Sequence, residues 1–446
     1  MTAAIVVGAG MSGLVRAHAL ARRGEDVLLL EASEAVGGVL QTRRLDGFLL
    51  ELGPNTVRPT PELWRLVEEL GLTGEALLAD PKLPRYVSWK GGLHALPTSP
   101  LALASTPLLS ASGKLRLFAE PFVAKGTDPE ESVHSFFARR LGPEIAERFI
   151  EPFVGGIFAG FARDLVLSAV FPELDRWEKE KGSLFRGALA DRRRPRTGAP
   201  APRGLLSFRE GLQALPRALA SRLGKRLEAS TPVQSLRPVP GGGWAFTTSS
   251  GVRTAGAATL ATPAAEAARL LEPFAPEAAR ALREIPHPFL AVLHFSWSLA
   301  DLPRALDGFG HLAVPRPDRR VLGAVWSSRL FAGRAPAGQA LVTAFVGGAR
   351  DREAAALSDD ALSGVAAREL AAALGARREP RLVRLTRYAR AIPQYVAGHA
   401  ARRKILEETE ARFPGLSLLG NYRDGVSVGE VVRKAESLPM PRRRDD

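Results

Sequence analysis

The sequence predicts a multidomain α/β plus α+β protein. A Rossmann-like dinucleotide-binding domain is interleaved with a mixed, mainly antiparallel sheet domain and a helical domain. Three observations lead there. The chain opens on an apolar run, residues 3–7, that ends in Gly8-Ala9-Gly10-Met11-Ser12-Gly13; a helix-period stretch follows, then a second apolar run, 27–30, closed by Glu31. Short strand patterns cluster much later, at 289–297, 321–326, 339–346 and 381–387. A strand of the opening type returns at 257–261, and another strand with a helix start returns only near the end, at 416–430. With 446 residues the chain exceeds one ordinary core, so two or three domains are expected.

Each part of the opening has a physical task. Gly8 permits a sharp turn, Gly10 leaves room for a pyrophosphate beside the backbone, and Gly13 lets the helix pack closely on the sheet. The helix N-terminus supplies free N–H groups and partial positive charge. Glu31 is placed to accept hydrogen bonds from an unphosphorylated ribose. Gly37-Gly38 indicates backbone crowding against a ligand or a second turn; Asp46-Gly47 reads as a hairpin; Gly53-Pro54-Asn55 brings main-chain N–H groups to a ring edge or is only a loop.

A helix is predicted at 61–70 and a strand at 84–89. Residues 98–123 mix Leu101, Leu115, Phe118 and Phe122 with Lys114 and Arg116, which fits either a buried helical hairpin or a patch on a membrane surface. A helix runs to Leu141, and a second from Pro143 is expected to break at the glycine-rich 151–160. Residues 191–203, with Arg192, Arg193, Arg194 and Arg196, read as a surface loop. Then come a helix at 215–223, a strand at 227–233, a hairpin at 241–243 and a helix at 264–271. His311 and Leu312 read as the end of a turn, and Phe331 as a loop residue. Helices at 359–374 and 399–413 and a frayed tail from Met440 complete the chain. The predicted division is 1–84, 201–270 and 393–446 for the dinucleotide domain, 85–97 and 271–392 for the sheet domain, and 98–200 for the helical domain.

Composition narrows the function. Cysteine is absent, which excludes disulfides, thiolate metal sites and cysteine nucleophiles. The formal charge of +14 suits an acidic small molecule or an anionic membrane, or reflects an arginine-rich genome. No nucleic-acid module accompanies it, so nucleic acid is not expected. The first strand begins at once and no run of apolar residues is long enough to span a bilayer. The expected location is therefore cytoplasmic, with peripheral attachment to the cytoplasmic membrane left open. No metal-ligand cluster and no Ser/His/Asp order accompany the motifs.

The segments VVGAGMSGLVRAHAL, LLEASEAVGGVLQT, GFLLELGPNTVRP, LPRYVSWKGGLHALP, EPFVGGIFAG, FGHLAVPR, AIPQYVAGH and LLGNYRDGVSVGEVV run from end to end. Together they resemble the flavin-dependent amine-oxidase superfamily and, within it, the protoporphyrinogen/coproporphyrinogen oxidases. The resemblance implies FAD, held by Gly8, Gly10, Met11, Ser12, Gly13, Glu31, Ala32, Gly37, Gly38, Gly53, Pro54, Asn55, Val233, Gly420, Val426, Ser427 and Val428. It implies a porphyrinogen whose propionate pairs with Arg85, with Gly155 and Gly156 beside the macrocycle and Leu312 and Phe331 sandwiching a pyrrole ring. For Arg85 the other reading is a strand-edge surface residue, and for Leu312 and Phe331 ordinary sheet core.

The implied reaction is a six-electron oxidation to protoporphyrin IX in haem biosynthesis, with oxygen as acceptor, hydride passing to flavin N5 and no catalytic side chain. Coproporphyrinogen III is the alternative substrate. More distant alternatives are amine or polyene oxidation and a non-enzymatic FAD-bearing assembly protein. A homodimer is left open. Phe161 follows Gly160 where the family often has an acid, and Phe158 stands where tyrosine is frequent.

Overall fold

The computed structural model describes residues 2–193, 200–303 and 306–439. The opening strand Thr2–Val7 lies at the middle of a seven-stranded sheet, between Val27–Leu30 and Gly251–Leu260, parallel to both. The far half of Gly251–Leu260 also pairs in parallel with Leu416–Leu418, so a strand from the end of the chain stands one strand away from the beginning. Trp244–Thr248 and Val233–Pro238 extend the sheet antiparallel at one edge, and Leu227–Glu228 closes the other. Alternation along the first strand explains why both faces are covered. Ala4 and Val6 face Leu14, Leu63, Leu215 and Val432, while Ile5 and Val7 face Ala267, Leu271, Ala278 and Leu282.

The second sheet also has seven strands, ordered Arg381–Tyr388, Leu290–Ser298, Gln339–Gly347, Val321–Val325, Gly310–Ala313, Arg85–Trp89, Gly92–Ala95. Its neighbours are antiparallel except for Gly310–Ala313 beside Arg85–Trp89. Tyr86, Leu293, Ala324, Val342 and Ala344 on one face pack against Leu362, Ala366 and Leu370 of helix Asp359–Leu374. The register places Arg85, Val87, Leu312, Val325, Thr343, Phe345 and His294 on the other face.

Helices between Pro100 and Arg192 form a third layer around Val133, Phe136, Val154, Phe158, Leu165 and Leu184. Its polar centre is Arg140, fully buried, at 3.1 Å from Glu120 and 2.6 Å from Glu178. Among the described residues no helix is long and apolar enough to cross a membrane. We propose that these three sets of elements are the domains, divided as given above except that helix Pro276–Arg283, whose Ala278 and Leu282 pack under the first sheet, moves from the sheet domain to the dinucleotide domain.

Several sequence expectations are corrected. Residues 151–160 do not break a helix: Glu151–Phe158 is one, entered through a π turn at Ala146–Ile150 and ended by Ala159 at φ +48°. Backbone crowding, which the glycines signalled, occurs within the helix rather than in place of it. Helices Pro172–Lys181, Leu184–Arg192 and Pro276–Arg283 were not predicted, although two of them open on proline at the first helical position and the third on Ser183, whose Oγ accepts from Arg186 N–H at 3.2 Å. Asp191 and Arg192 therefore end a helix rather than open a loop, and the expectation for 194–199 lies outside the described residues, as does the tail from Met440. The strand expected at 227–233 is two short strands, Leu227–Glu228 and Val233–Pro238, parted by Ser230 at φ +52°. His311 and Leu312 lie within strand Gly310–Ala313.

Candidate active site

The opening glycines divide their work. Gly8 sits at φ +98°, and a Cβ there would lie 2.8 Å from the Ala261 carbonyl oxygen. A Cβ on Gly13 would lie 1.8 Å from the Gly8 oxygen. A Cβ on Gly10 would meet nothing within 4 Å. Gly8 and Gly13 thus answer to packing, whereas Gly10 faces open space where a ligand can approach. Gly10 is also the N-cap of helix Met11–Arg22 and no side chain caps that end, so the amides of the first turn, Met11, Ser12 and Gly13, remain for a phosphate.

Around this turn the other expected cofactor positions collect. Glu31 Oε2 accepts from the Ala9 N–H at 2.5 Å and Oε1 from Ser33 N–H at 2.9 Å, with Ala32 between. The Glu31 carbonyl accepts from Thr231 N–H at 2.7 Å, and Val233 packs in one cluster with Leu30, the residue before Glu31. Gly37 donates to the Ala9 carbonyl at 2.8 Å, and Gly37 and Gly38 take φ of +105° and +58°, values that suit glycine. A Cβ on Gly53 would lie 2.2 Å from the Val39 oxygen.

The turn at 51–55 is fastened to the open face of the second sheet. His294 Nε2–H donates to the Glu51 carbonyl at 3.0 Å, and Tyr388 Oη–H to the Leu52 carbonyl at 3.1 Å. Beyond Pro54, Asn55 Nδ2 donates to the Gly53 carbonyl at 3.2 Å; its Oδ1 accepts from Ser327 Oγ at 3.2 Å, and Ser327 reaches Thr343 at 2.9 Å. The Glu51 carboxylate accepts from Thr42 Oγ1 at 2.7 Å and Leu212 N–H at 2.8 Å; burial nonetheless raises its pKa.

The C-terminal segment joins the same place. Leu419 N–H donates to the Leu260 carbonyl at 2.9 Å, Val7 pairs with Leu260, and so Gly420 emerges two strands from Gly8, about 10 Å across the sheet. Helix Val428–Ser437 begins there, after Gly425 and Val426, with Ser427 Oγ accepting from Glu430 N–H at 3.2 Å. Val432 and Ala435 pack it beside Leu14 and Val15 of the opening helix. The two helices thus pack side by side, starting from neighbouring parts of one sheet.

The expected substrate positions fall on the open face in two groups. A Cβ on Gly156 would lie 2.3 Å from Leu312 Cδ2, and one on Gly155 would lie 3.8 Å from Leu322 Cδ2, so the glycine helix lies close over the strands. Arg85 is exposed, with its guanidinium carbon 5.3 Å from the Phe309 ring centre; Phe309 packs in one cluster with Phe331, Leu330 and Val325. Phe331 is buried, and Arg334 lies 5.3 Å over its ring. Val325, which pairs with Gly310 two residues before Leu312, belongs to the Phe331 cluster. Leu322, Val325, Phe345 and Arg334 were not anticipated. The strand alternation could have found Val325 and Phe345, but Leu322 faces the helix only because of a register shift between Val321 and Gly323. His311, the histidine nearest by motif, points to the opposite, helix-covered face beside Trp326. Burial pushes His294 and His311 down to about 4, so both are neutral at ordinary pH. Among the described residues no cluster could hold a metal ion.

The flavin containing amine oxidoreductase profile matches residues 11–437. The chain belongs to that family, its cofactor is FAD, and it is an oxidoreductase. Within the family it is similar to protoporphyrinogen oxidases. It is 32% identical to the chloroplastic protoporphyrinogen oxidase of Nicotiana tabacum over 97% of this chain and 83% of that one. It is 33% identical to the Homo sapiens protoporphyrinogen oxidase over 98% and 97% of the two chains. A crystal structure from Exiguobacterium sp. 255-15, named as a candidate protoporphyrinogen oxidase, superposes with a TM-score of 0.81 at 26% identity, covering 98% of this chain and 97% of that one. The fold is also that of reduced UDP-galactopyranose mutase, TM-score 0.72 at 17% identity, over 98% of this chain and 94% of that one.

Proposed function

We propose that the protein oxidises protoporphyrinogen IX to protoporphyrin IX, with molecular oxygen as acceptor: three O2 are reduced to three H2O2 as six hydrogens leave the macrocycle. The observation that carries this is the apolar face bearing Leu312, closed over by the Gly155-Gly156 helix and ending at Arg85. Bound FAD supplies the hydride acceptor. The chain's residues do the rest. Gly10 and the helix amides hold the pyrophosphate, Glu31 the ribose, and the turn at 53–55 the ring edge. Leu312 and the glycine helix exclude water and fix the ring plane, and the Arg85 guanidinium takes a propionate. Phe331 packs with the Phe309 ring under Arg85, and with Leu312 it would flank a pyrrole ring.

The test is anaerobic mixing of holoprotein with protoporphyrinogen IX, coproporphyrinogen III and a primary amine in separate experiments. Fast loss of flavin absorbance with protoporphyrinogen IX, accompanied by porphyrin fluorescence, is expected. Bleaching by coproporphyrinogen III alone, or by the amine alone, would overturn the substrate assignment.

We further propose peripheral attachment to an anionic membrane on its cytoplasmic side. It is supported by the outward display of Leu101, Leu115, Phe118 and Phe122, at 80%, 69%, 76% and 84% exposure, beside a buried Leu108, Leu109 and Leu117. Residues 98–123 thus combine core and patch. Flotation with anionic liposomes should carry the protein into the lipid fraction; its absence there at low and high salt would refute the proposal.

A further inference from the structure

One short segment, 391–399, touches both halves of the site. Gln394 Nε2 donates to the Phe158 carbonyl, at the end of the glycine helix, at 2.8 Å. The Tyr395 carbonyl accepts from Val166 N–H at 2.9 Å. The Tyr395 hydroxyl donates to the Asn421 carbonyl and accepts from the Gly425 N–H at 2.8 Å, so a single oxygen bridges both ends of the turn that precedes helix Val428–Ser437. His399 stacks on the Tyr395 ring at 4.2 Å between centres and 19° between planes, with Nε2 at 3.4 Å from the Arg423 carbonyl inside the same turn. Gln394, Tyr395 and His399 are all buried, at 2–3% exposure.

These contacts go beyond packing in one respect. Gly420 and Gly425 both suit glycine: a Cβ on Gly420 would lie 2.4 Å from the Tyr422 ring, and Gly425 takes φ +129°. The turn between them is four residues of helix, Asn421–Asp424, too short to hold its own shape by intrahelical hydrogen bonds. Its ends are therefore fixed from outside, and Tyr395 is the side chain that holds both. The same segment, through Gln394, fixes the end of the helix that covers the substrate face.

We propose that Tyr395 is a positioning residue for FAD: its hydroxyl sets the second backbone turn against the cofactor, and Gln394 references the substrate-covering helix to that same turn. The proposal rests on the FAD site described above but not on which substrate is oxidised. It touches no reacting atom and acts through residues 420–428.

The experiment uses the full chain stripped of FAD and titrated with FAD, following quenching of flavin fluorescence, with thermal unfolding measured on the apoprotein and on the FAD-loaded protein. Tyr395→Phe keeps the ring and its stack on His399 and removes only the bridging oxygen. The FAD Kd should rise about tenfold, as for the loss of a buried hydrogen-bond pair, while the apoprotein Tm moves by no more than about 2 °C. The stabilisation conferred by FAD should shrink in step. A Kd within about twofold of wild type would overturn the proposal, and so would an apoprotein Tm loss matched by an equal loss in the loaded protein, which marks a purely structural role. If Tyr395→Phe does not fold, His399→Phe carries the test, because it keeps a stacked ring and removes the nitrogen near Arg423. A Kd raised about threefold supports the proposal there, and an unchanged Kd overturns it. Porphyrinogen turnover is not needed for any of these readings, so failure of the substrate assignment and failure of this proposal are distinguishable.

Discussion

Gly10 and Gly13 lie in one turn, yet alanine at the two positions should act in opposite ways. Gly10 has φ −68° and ψ 176°, an extended conformation open to any residue, and a Cβ there meets no protein atom within 4 Å. Gly10→Ala should leave the apoprotein as stable as wild type, or more stable by about 0.5 kcal/mol through the unfolded chain. The methyl group would stand where the pyrophosphate approaches the helix amides. Losing two charge-assisted hydrogen bonds costs about 3 kcal/mol, so the FAD Kd should rise about a hundredfold. At Gly13 the Cβ would lie 1.8 Å from the Gly8 carbonyl oxygen, which is backbone and cannot swing aside. Gly13→Ala should cost the apoprotein about 2–4 kcal/mol whether or not FAD is added. Urea unfolding of the two apoproteins and FAD titration separate the effects. Wild-type FAD affinity in Gly10→Ala, or wild-type apoprotein stability in Gly13→Ala, would refute the reasoning.

Three further outcomes follow from named contacts. Arg85→Ala should raise KM for the porphyrinogen about tenfold and leave FAD content unchanged, because the exposed guanidinium touches no cofactor-site residue; equal turnover at limiting substrate would remove its role. Burial holds His294 at about 4 against an ordinary 6.5, so as pH falls the unfolded chain takes up its proton first, and the folded state loses up to about 3 kcal/mol between those values. His294→Gln keeps an N–H for the Glu51 carbonyl but cannot titrate, so its stability should fall less on acidification from pH 6.5 to 4; an unchanged acid limb would contradict this. Arg140→Met leaves Glu120 buried without its cation, while Glu178 keeps Arg139 at 2.9 Å, and should cost about 3–5 kcal/mol in chemical unfolding, a loss that a change below about 1 kcal/mol would disprove.

The opening of the chain was legible because its signals are local. Gly8, Gly10, Gly13 and Glu31 lie within one strand-turn-helix-strand unit, and the structure gives Gly8 and Gly13 steric reasons while it leaves Gly10 open. The meeting of Gly420 with that turn was legible only through resemblance, since nothing near residue 420 states which strand it will pair with; the pairing Leu260 with Leu418 is a long-range fact. Arg85 and Leu312 reach one sheet face through the pairing of their two strands, which no local pattern states, and Phe331 reaches the neighbouring cluster through the loop after Val325 rather than through strand alternation. Leu322 escaped notice for a related reason: a register shift turns it over, and alternation alone puts it on the wrong side. The glycine-rich helix Glu151–Phe158 defied propensity: at Gly156 a Cβ would lie 2.3 Å from Leu312 Cδ2, whereas at Gly155 the 3.8 Å to Leu322 is ordinary contact.

The central claim is that one FAD faces one porphyrinogen and removes its hydrogens in pairs. The most direct measurement is anaerobic titration of fully loaded holoprotein with protoporphyrinogen IX, counting flavins bleached for each protoporphyrin IX formed. The account predicts three flavins reduced per porphyrin, six electrons in all, with no porphyrin formed by FAD-free protein. Porphyrin appearing without flavin reduction, or a flavin that stays oxidised under excess porphyrinogen, would contradict it.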